Sequence, residues 1–222
     1  MTQKSAIVWF RQDLRLSDNP ALHEALEDGY AVIPLYILDD KNAAEWKLGG
    51  AARWWLHHSL NSLNDDLRGH LLVRSGDAAD HLMNLISETG ASAVYWNRCY
   101  EPWRVKRDEE IKSGLKDNGI EAESFNGSLL WEPWEGCKDD GTPYRVYTPF
   151  YKNASSKKEP RDPYDRPERI TYASHNEKTG AIDDLALMPE IEWYKEMEKV
   201  WDIGEDSAHA QLKDFFKNGL HN

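Results

Sequence analysis

Five short apolar segments alternate with longer segments of helical periodicity in the first 125 residues of the chain. The apolar segments, which we predict to be β-strands, are residues 6–10, 32–38, 71–74, 93–97 and 123–125. Strands that alternate with helices pair in parallel through right-handed crossovers. The alternation therefore predicts an α/β fold: a Rossmann-like open parallel sheet of five strands, in the order 3-2-1-4-5, with helices on both faces.

The helical segments carry apolar side chains three and four residues apart. We expect helices over residues 20–28 and 50–68, one from Asp77 to the residue before Gly90, and one from Pro102 to the residue before Gly119. The second helix is predicted to leave His57 on its solvent side. Its apolar face is predicted to consist of Ala52, Leu56, Leu60, Leu63 and Leu67.

Charged residues crowd the loop that follows the first strand. Arg11, Asp13 and Arg15 stand there at every second position, before Asn19, which we expect to begin the first helix. These charges allow two interpretations: a phosphate-binding loop, or an ion-pair network that braces this end of the sheet against a further domain. In sheets of this type, ligands bind beyond the carboxyl ends of the strands where the strand order reverses. The loops at residues 11–15 and 97–101 meet that description.

Composition narrows the class of protein. The net charge of −12 is unfavourable for binding a nucleic-acid backbone. No apolar stretch approaches the ~20 residues that a membrane span needs, and we do not expect a secretory signal. The two cysteines, Cys99 and Cys137, predict free thiols in a cytoplasmic protein. Glycine-rich dinucleotide and triphosphate loops and a serine-nucleophile elbow are absent, and the adjacent His57 and His58 do not have metal-ligand spacing.

The second half of the sequence changes character. Residues 131–149 are rich in turns and aromatic side chains, and a short helix is expected at about residues 150–154. Residues 155–180 are polar, rich in proline and charge, and predict an extended linker. An amphipathic helix is expected over residues 205–220, with an apolar face that we expect to lack a packing partner. That face consists of Ala208, Leu212, Phe215 and Phe216.

Five segments of the sequence resemble the photolyase/cryptochrome family. The first strand and its loop match the pattern W-F-R-x-D-L-R-x-x-D-N between Trp9 and Asn19. The other similar segments are W-N-R-C-Y-E-P at residues 96–102 with K-R-D at 106–108, N-G-S-L-L at 126–130, and G-T-P-Y-R-V-Y-T-P-F at 141–150. Gly204 and Glu205 resemble the entry to the family's flavin-binding helical domain.

The resemblance implies a division into three parts: an α/β antenna-binding domain at residues 1–130, an irregular connecting segment at 131–204, and the start of an FAD-binding helical domain at 205–222. It implies the light-harvesting part of an enzyme that repairs pyrimidine dimers with blue or near-ultraviolet light. The antenna would be methenyltetrahydrofolate, with deazaflavin or FMN as alternatives. FAD and damaged DNA would bind the helical domain, so this chain alone is expected to be inactive. A cryptochrome photoreceptor and a stand-alone small-molecule-binding module are the alternatives.

The resemblance also suggests site residues, but no catalytic residue and no metal ligand. Glu101 would hydrogen-bond the antenna ring, although the same residue could simply cap the helix that begins at Pro102. Arg53 would act as a ligand or ion-pair partner, or lie on the surface without a role. The full antenna-binding set is Glu101, Arg53, Asp39, Asn97 and Arg11. The interdomain or structural set is Asp13, Arg15, Thr148 and Phe150.

Overall fold

The computed structural model describes residues 3–175 and 180–220 and contains a single five-stranded sheet within them. Its strands are β1 (Ser5–Phe10), β2 (Ala31–Leu38), β3 (Leu72–Ser75), β4 (Ala93–Asn97) and β5 (Glu121–Phe125). All four strand pairs are parallel, in the order β3-β2-β1-β4-β5. The predicted fold class, strand number and strand order are therefore confirmed.

Helices connect the strands and continue beyond the sheet. They are α1 (Pro20–Glu27), α2 (Asp40–Ala43), α3 (Gly50–Asp66), α4 (Ala78–Thr89), α5 (Pro102–Asp117), α6 (Tyr147–Lys157), α7 (Lys195–Glu198) and α8 (Glu205–Asp214). Asn19 begins α1 as expected, because its side-chain oxygen accepts a hydrogen bond from the amide of Leu22 at 3.2 Å. The carboxylate of Asp77 likewise caps α4 by accepting from Ala79 and Asp80.

The sheet is covered on both faces, which explains why its central strands are apolar throughout. Leu22 of α1 and Leu60 of α3 pack on one face. Leu82 of α4 and Leu115 of α5 pack on the other. Burying each such side chain contributes about 1.5–3 kcal/mol, so the two helical layers hold the carboxyl ends of the strands in fixed positions.

Two details of the predicted α3 face are wrong. Ala52 is exposed, because the first turn of α3 borders an open cavity instead of the sheet. Its place in the interior is taken by Trp54, whose ring stacks on Tyr194 with the centroids 6.2 Å apart. His57, expected in solvent, is half-buried, because the turn Ile182–Leu185 packs on α3. Distant segments thus cover a surface that local periodicity assigns to water.

The second half of the chain follows the prediction more loosely. Helix α6 is longer than the expected 150–154. The predicted linker at 155–180 has no regular structure after α6 in its described part, apart from a parallel bridge between Tyr172 and Val32; residues 176–179 lie outside the described residues. Both cysteines are free thiols, as expected. Within residues 3–175 and 180–220, no helix combines the length and the apolarity needed to cross a bilayer.

The expected helix at the end of the chain is present, as α8 followed by the π-helical segment Phe215–Gly219. Its apolar side chains have no cover: Leu212 is 51% exposed and Phe216 is 58% exposed. The expected helix is therefore present with its apolar side chains exposed among the described residues, and the absence of a packing partner stays a prediction.

Candidate functional site

The loop after β1 is held by a buried polar network. The guanidinium of Arg11 contacts the carboxylate of Asp108 and the backbone carbonyl of Asn97. The carboxylate of Asp13 accepts hydrogen bonds from the backbone amide of Arg11 at 2.9 Å and the side-chain amide of Asn97 at 2.6 Å. Since charges survive burial when they are paired and hydrogen-bonded, this arrangement fixes the carboxyl ends of β1 and β4 relative to each other.

Arg15 connects the same loop to the segment after β5. Its guanidinium donates to the carbonyl of Gly127 at 2.7 Å and to that of Asp18 at 2.9 Å. Gly127 is required at this point, since a Cβ there would lie 2.7 Å from the side-chain carbon Cγ of Asn97. Hydrogen bonds therefore connect the charged loop to the segment after β5, and its role as a brace stays a prediction.

Asp39 and Arg107 form the centre of a second buried cluster, at the end of β2. Arg107 Nη1 donates to Asp39 Oδ2 at 3.1 Å, and its Nε and Nη2 donate to Asp108 at 3.0 and 2.8 Å. The Arg107 guanidinium also lies 4.9 Å from the ring centre of Trp9 and 5.1 Å from that of Trp103. Two carboxylates and two indole rings thus hold one cation in a fixed orientation.

A cavity of about 290 Å³ opens beside this cluster. Aromatic rings form much of its wall: Trp9, Tyr36, Trp46, Trp55 and Trp103. Burial raises the pKa of the Tyr36 hydroxyl well above its ordinary value, so that this part of the wall is neutral. Trp46 is 70% exposed at the cavity mouth.

Charged groups complete the cavity wall: Arg11, Asp39, Asp40, Arg104 and Arg107. The indole nitrogen of Trp9 and Nε of Arg11 are buried and have no hydrogen-bond partner among the described residues. Aromatic walls with a few polar groups are typical of sites for flat heterocyclic ligands.

The structure brings only part of the predicted antenna set into this cavity. Arg11 and Asp39 line it. Arg53 does not line the cavity. Its guanidinium pairs with Asp40, which does line the wall, and its Nε donates to the carbonyl of Leu48. Asn97 is engaged in the network beneath the loop.

Glu101 lies at the rim, immediately before α5. Its carboxylate accepts a hydrogen bond from Gln12 at 2.7 Å and makes no side-chain capping bond to the helix, so the hydrogen-bonding form of the capping alternative is not observed. Burial opposes ionisation, but its own amide, the Arg104 charge and the Gln12 hydrogen bond together keep the pKa of Glu101 below its ordinary value. Gln12 also lines a second hollow.

That second hollow has a volume of about 770 Å³, and its lining combines polar and charged side chains with leucine and proline residues. Asp13 and Arg15 of the predicted interdomain set line it, beside the exposed Leu130. Thr148 and Phe150 lie on α6; Thr148 is exposed, and Phe150 is so close to Gly136 that a Cβ there would clash with its ring.

Sequence reasoning did not assign roles to Trp103 and Arg107. A usable signal was present, because residues four apart on a helix share a face. The helix that begins at Pro102 therefore had to present an indole ring and a guanidinium together at the carboxyl end of the sheet.

The fold defines an α/β domain of the open, doubly wound class, with a cavity at the carboxyl ends of its strands. The model of the family described as DNA photolyase matches residues 6–168. A deoxyribodipyrimidine photo-lyase of Agrobacterium fabrum is 44% identical over 226 residues, covering 99% of this chain and 47% of that protein. Cryptochrome-2 of Arabidopsis thaliana is 32% identical over 226 residues, covering 98% of this chain and 37% of that protein.

Two solved structures of photolyases are also similar to this chain. The crystal structure of a bacterial class III photolyase from Agrobacterium tumefaciens has a TM-score of 0.89 at 42% identity and covers 98% of this chain and 45% of that one. An archaeal photolyase from Sulfolobus tokodaii, solved with two FAD molecules, has a TM-score of 0.65 at 28% identity and covers 83% and 42%. This chain belongs to the DNA photolyase family. It spans less than half of the length of each of these relatives.

Proposed function

We propose that this chain is the N-terminal light-harvesting domain of a deoxyribodipyrimidine photolyase. The observation that carries the proposal is the 44% identity to such an enzyme across 99% of the chain. The whole protein would be a carbon–carbon lyase, and its FAD-binding helical domain and DNA contacts would lie beyond these residues. The net charge of −12 supports DNA contacts outside this domain.

The aromatic cavity at the ends of β1 and β2 is the proposed antenna site. Trp103 and Arg107 would hold the ring system, and Arg11 and Asp39 would fix its polar edge. A bound antenna absorbs near-ultraviolet or blue light and passes the excitation to FAD. Methenyltetrahydrofolate is the first candidate, and deazaflavin and FMN are the alternatives.

The remaining predicted residues receive supporting roles in this proposal. Glu101 would accept N–H groups from a ring that extends past the rim, with Gln12 orienting the carboxylate. Arg53 would hold Asp40 in the wall, and Asn97 would hold the Arg11 loop in place.

The larger hollow and the uncovered face of α8 are proposed to meet the FAD-binding helical domain. Asp13 and Arg15 line the hollow, and Leu212 and Phe216 expose apolar area that a following helix would cover. The division at residues 130 and 204 is part of the same proposal.

The antenna site is tested in the full-length protein by replacing one cavity indole. We expect Trp103→Leu to weaken antenna retention about threefold to tenfold, because a stacking surface is lost. Trp134→Leu is the matched control, since Trp134 is an exposed indole that does not line the cavity. Absorbance of the purified protein measures occupancy, and equal occupancy in both variants would refute the placement.

A cryptochrome photoreceptor is the second candidate, favoured by the 32% identity to a plant cryptochrome over 98% of this chain. Illumination of the full-length protein with an oligonucleotide that contains a cyclobutane dimer separates the two. Light-dependent splitting of the dimer supports the photolyase, and its absence with FAD bound supports the photoreceptor.

A further inference from the structure

A third cavity, separate from the two described above, is a cleft between α4 and α5 on the sheet face that these helices cover. Its volume is about 250 Å³. Leu82, Ile111 and Leu115 form its apolar floor, and Met83 forms part of one wall. The volume is below the range of about 300–1,000 Å³ that is typical of sites for drug-sized ligands. An occupant that lies wholly within the cleft, unlike a ligand that extends past the rim of the aromatic cavity, would therefore be small.

Gly114 opens this cleft from within α5. A glycine in a helix interior destabilises the helix by about 1 kcal/mol relative to alanine. Packing within the chain does not require it, since a Cβ at Gly114 would meet no atom within 4 Å. The glycine thus leaves an open cradle over the helix backbone, next to the apolar floor, where a flat ring can lie.

The polar end of the cleft is rigid. Arg107 lines it and is held by Asp39 and Asp108, so its charge is already compensated. Asn42 lines it as well and donates to both Asp39 and Asp77, at 2.9 and 3.3 Å. The groups that would orient a ligand at this end are fixed before any ligand arrives.

Glu110 gives the cleft its charge preference. It lines the cleft, it is exposed, and no cation among the described residues lies within ion-pair distance of its carboxylate. Asp77, the other carboxylate in the lining, is paired with Lys41 at 3.2 Å. The one uncompensated charge is therefore negative, and it favours a cationic occupant.

We propose that the cleft between α4 and α5 binds a small aromatic amine. The ring lies over Gly114, against the exposed side chain of Met83, and the ammonium group pairs with Glu110. The site is separate from the proposed antenna cavity, and only Arg107 lines both. It requires no cofactor and does not rest on the proposed function.

The 222-residue chain, labelled with ¹³C at its methionine methyl groups, is titrated with tryptamine and followed by NMR. We expect the Met83 methyl resonance, assigned with Met83→Leu, to shift saturably. Met188 and Met197 do not line the cleft and serve as internal references. Indole-3-propionate, which has the same ring with an anionic tail, is expected to bind about twofold to fivefold more weakly.

Four variants separate the cleft from non-specific binding. Gly114→Leu fills the cradle, and we expect the Met83 shift to disappear. Gly114→Ala is expected to raise the melting temperature. It keeps the test valid if the leucine variant does not fold. Ser113→Ala changes an exposed neighbour on the same helix and is expected to leave binding unchanged. Glu110→Gln is expected to remove the preference for the amine. A Met83 resonance that never saturates, or that shifts equally in the folded Gly114 variants, overturns the proposal.

Discussion

Hydrogen bonds orient individual side chains at the carboxyl end of the sheet, and some of these side chains keep a hydrogen-bond acceptor free. Glu101 illustrates this: Gln12 occupies one carboxylate oxygen, at 2.7 Å, while the other lies 3.7 Å from Nε of Arg104, beyond hydrogen-bond distance. A carboxylate that is partly satisfied and kept ionised at a cavity rim is available to accept N–H groups from a ligand. That availability is the physical basis for its proposed role.

We expect Glu101→Gln in the full-length protein to weaken antenna retention about 10- to 100-fold, or ~1.5–3 kcal/mol. One acceptor oxygen becomes a donor that faces the N–H groups of the ring. Antenna absorbance, measured beside a thermal melt, reports occupancy and stability separately. Glu109→Gln, on the exposed surface of the same helix, is the control; unchanged occupancy in the Glu101 variant would remove this residue from the site.

At the scale of elements, the start of α8 is attached to the loop after β1. The buried carboxylate of Glu205 accepts hydrogen bonds from the backbone amides of Leu16 and Ser17, at 2.7 and 2.8 Å. Burial alone would raise the pKa of Glu205, but these hydrogen bonds and the charge of Arg166 outweigh it and lower the pKa below its ordinary value of 4.5. The helix is therefore fixed at its first residue, while its far end exposes an apolar face.

This contact predicts a pH-dependent loss of stability in Glu205→Gln. A lowered folded-state pKa stabilises the fold above the unfolded-state value, and the contribution is lost as the pH falls through the folded-state pKa. We expect the variant to lose about 1–3 kcal/mol at pH 7 and to approach the wild type in acid. Urea denaturation at pH 7 and about pH 3.5 measures both. Glu190→Gln is the exposed control; an equal loss at both values would contradict the assignment.

At the scale of the whole molecule, helices cover both faces of the sheet, whereas two other surfaces have no part of the described chain packed on them. Both faces of the sheet are packed, yet the large hollow and the apolar face of α8 are open within the described residues. Relatives that match the chain are more than twice its length. We interpret the open surfaces as the contact with the FAD-binding helical domain.

For the isolated 222-residue chain we expect a folded protein that retains no FAD and splits no pyrimidine dimers in light. The flavin and lesion contacts would belong to the helical domain. Absorbance after purification and a light-dependent repair assay check both points, with the full-length protein as the positive control. Stoichiometric FAD in the isolated chain would refute the proposed division of labour.

The strand order was predicted from the fold class that the alternation of strands and helices defines. The sequence by itself determined the number of strands and the starts of α1, α3, α4 and α5, but it did not predict α2 or α7, and α6 begins earlier than expected. The features that it determined depend on patterns within about a dozen residues: apolar runs, helical spacing, and caps such as Asn19 and Asp77. Sequence also located the charged loop at the carboxyl end of the sheet. Ala52, placed in the interior by spacing alone, shows where such patterns fail, since they contain no information on what covers a helix face.

Only the tertiary structure decided how the site is built. Arg107 meets Asp39, 68 positions earlier in the chain, and Glu205 meets Ser17, 188 positions earlier. The cavity, the cation held between Trp9 and Trp103, and the partial burial of His57 arise from approaches of this kind. Local propensity determines which helix or strand each residue joins. The packing of complete helices and strands determines which side chains meet, because contacts between residues so far apart in sequence form only when the helical layers pack on the sheet.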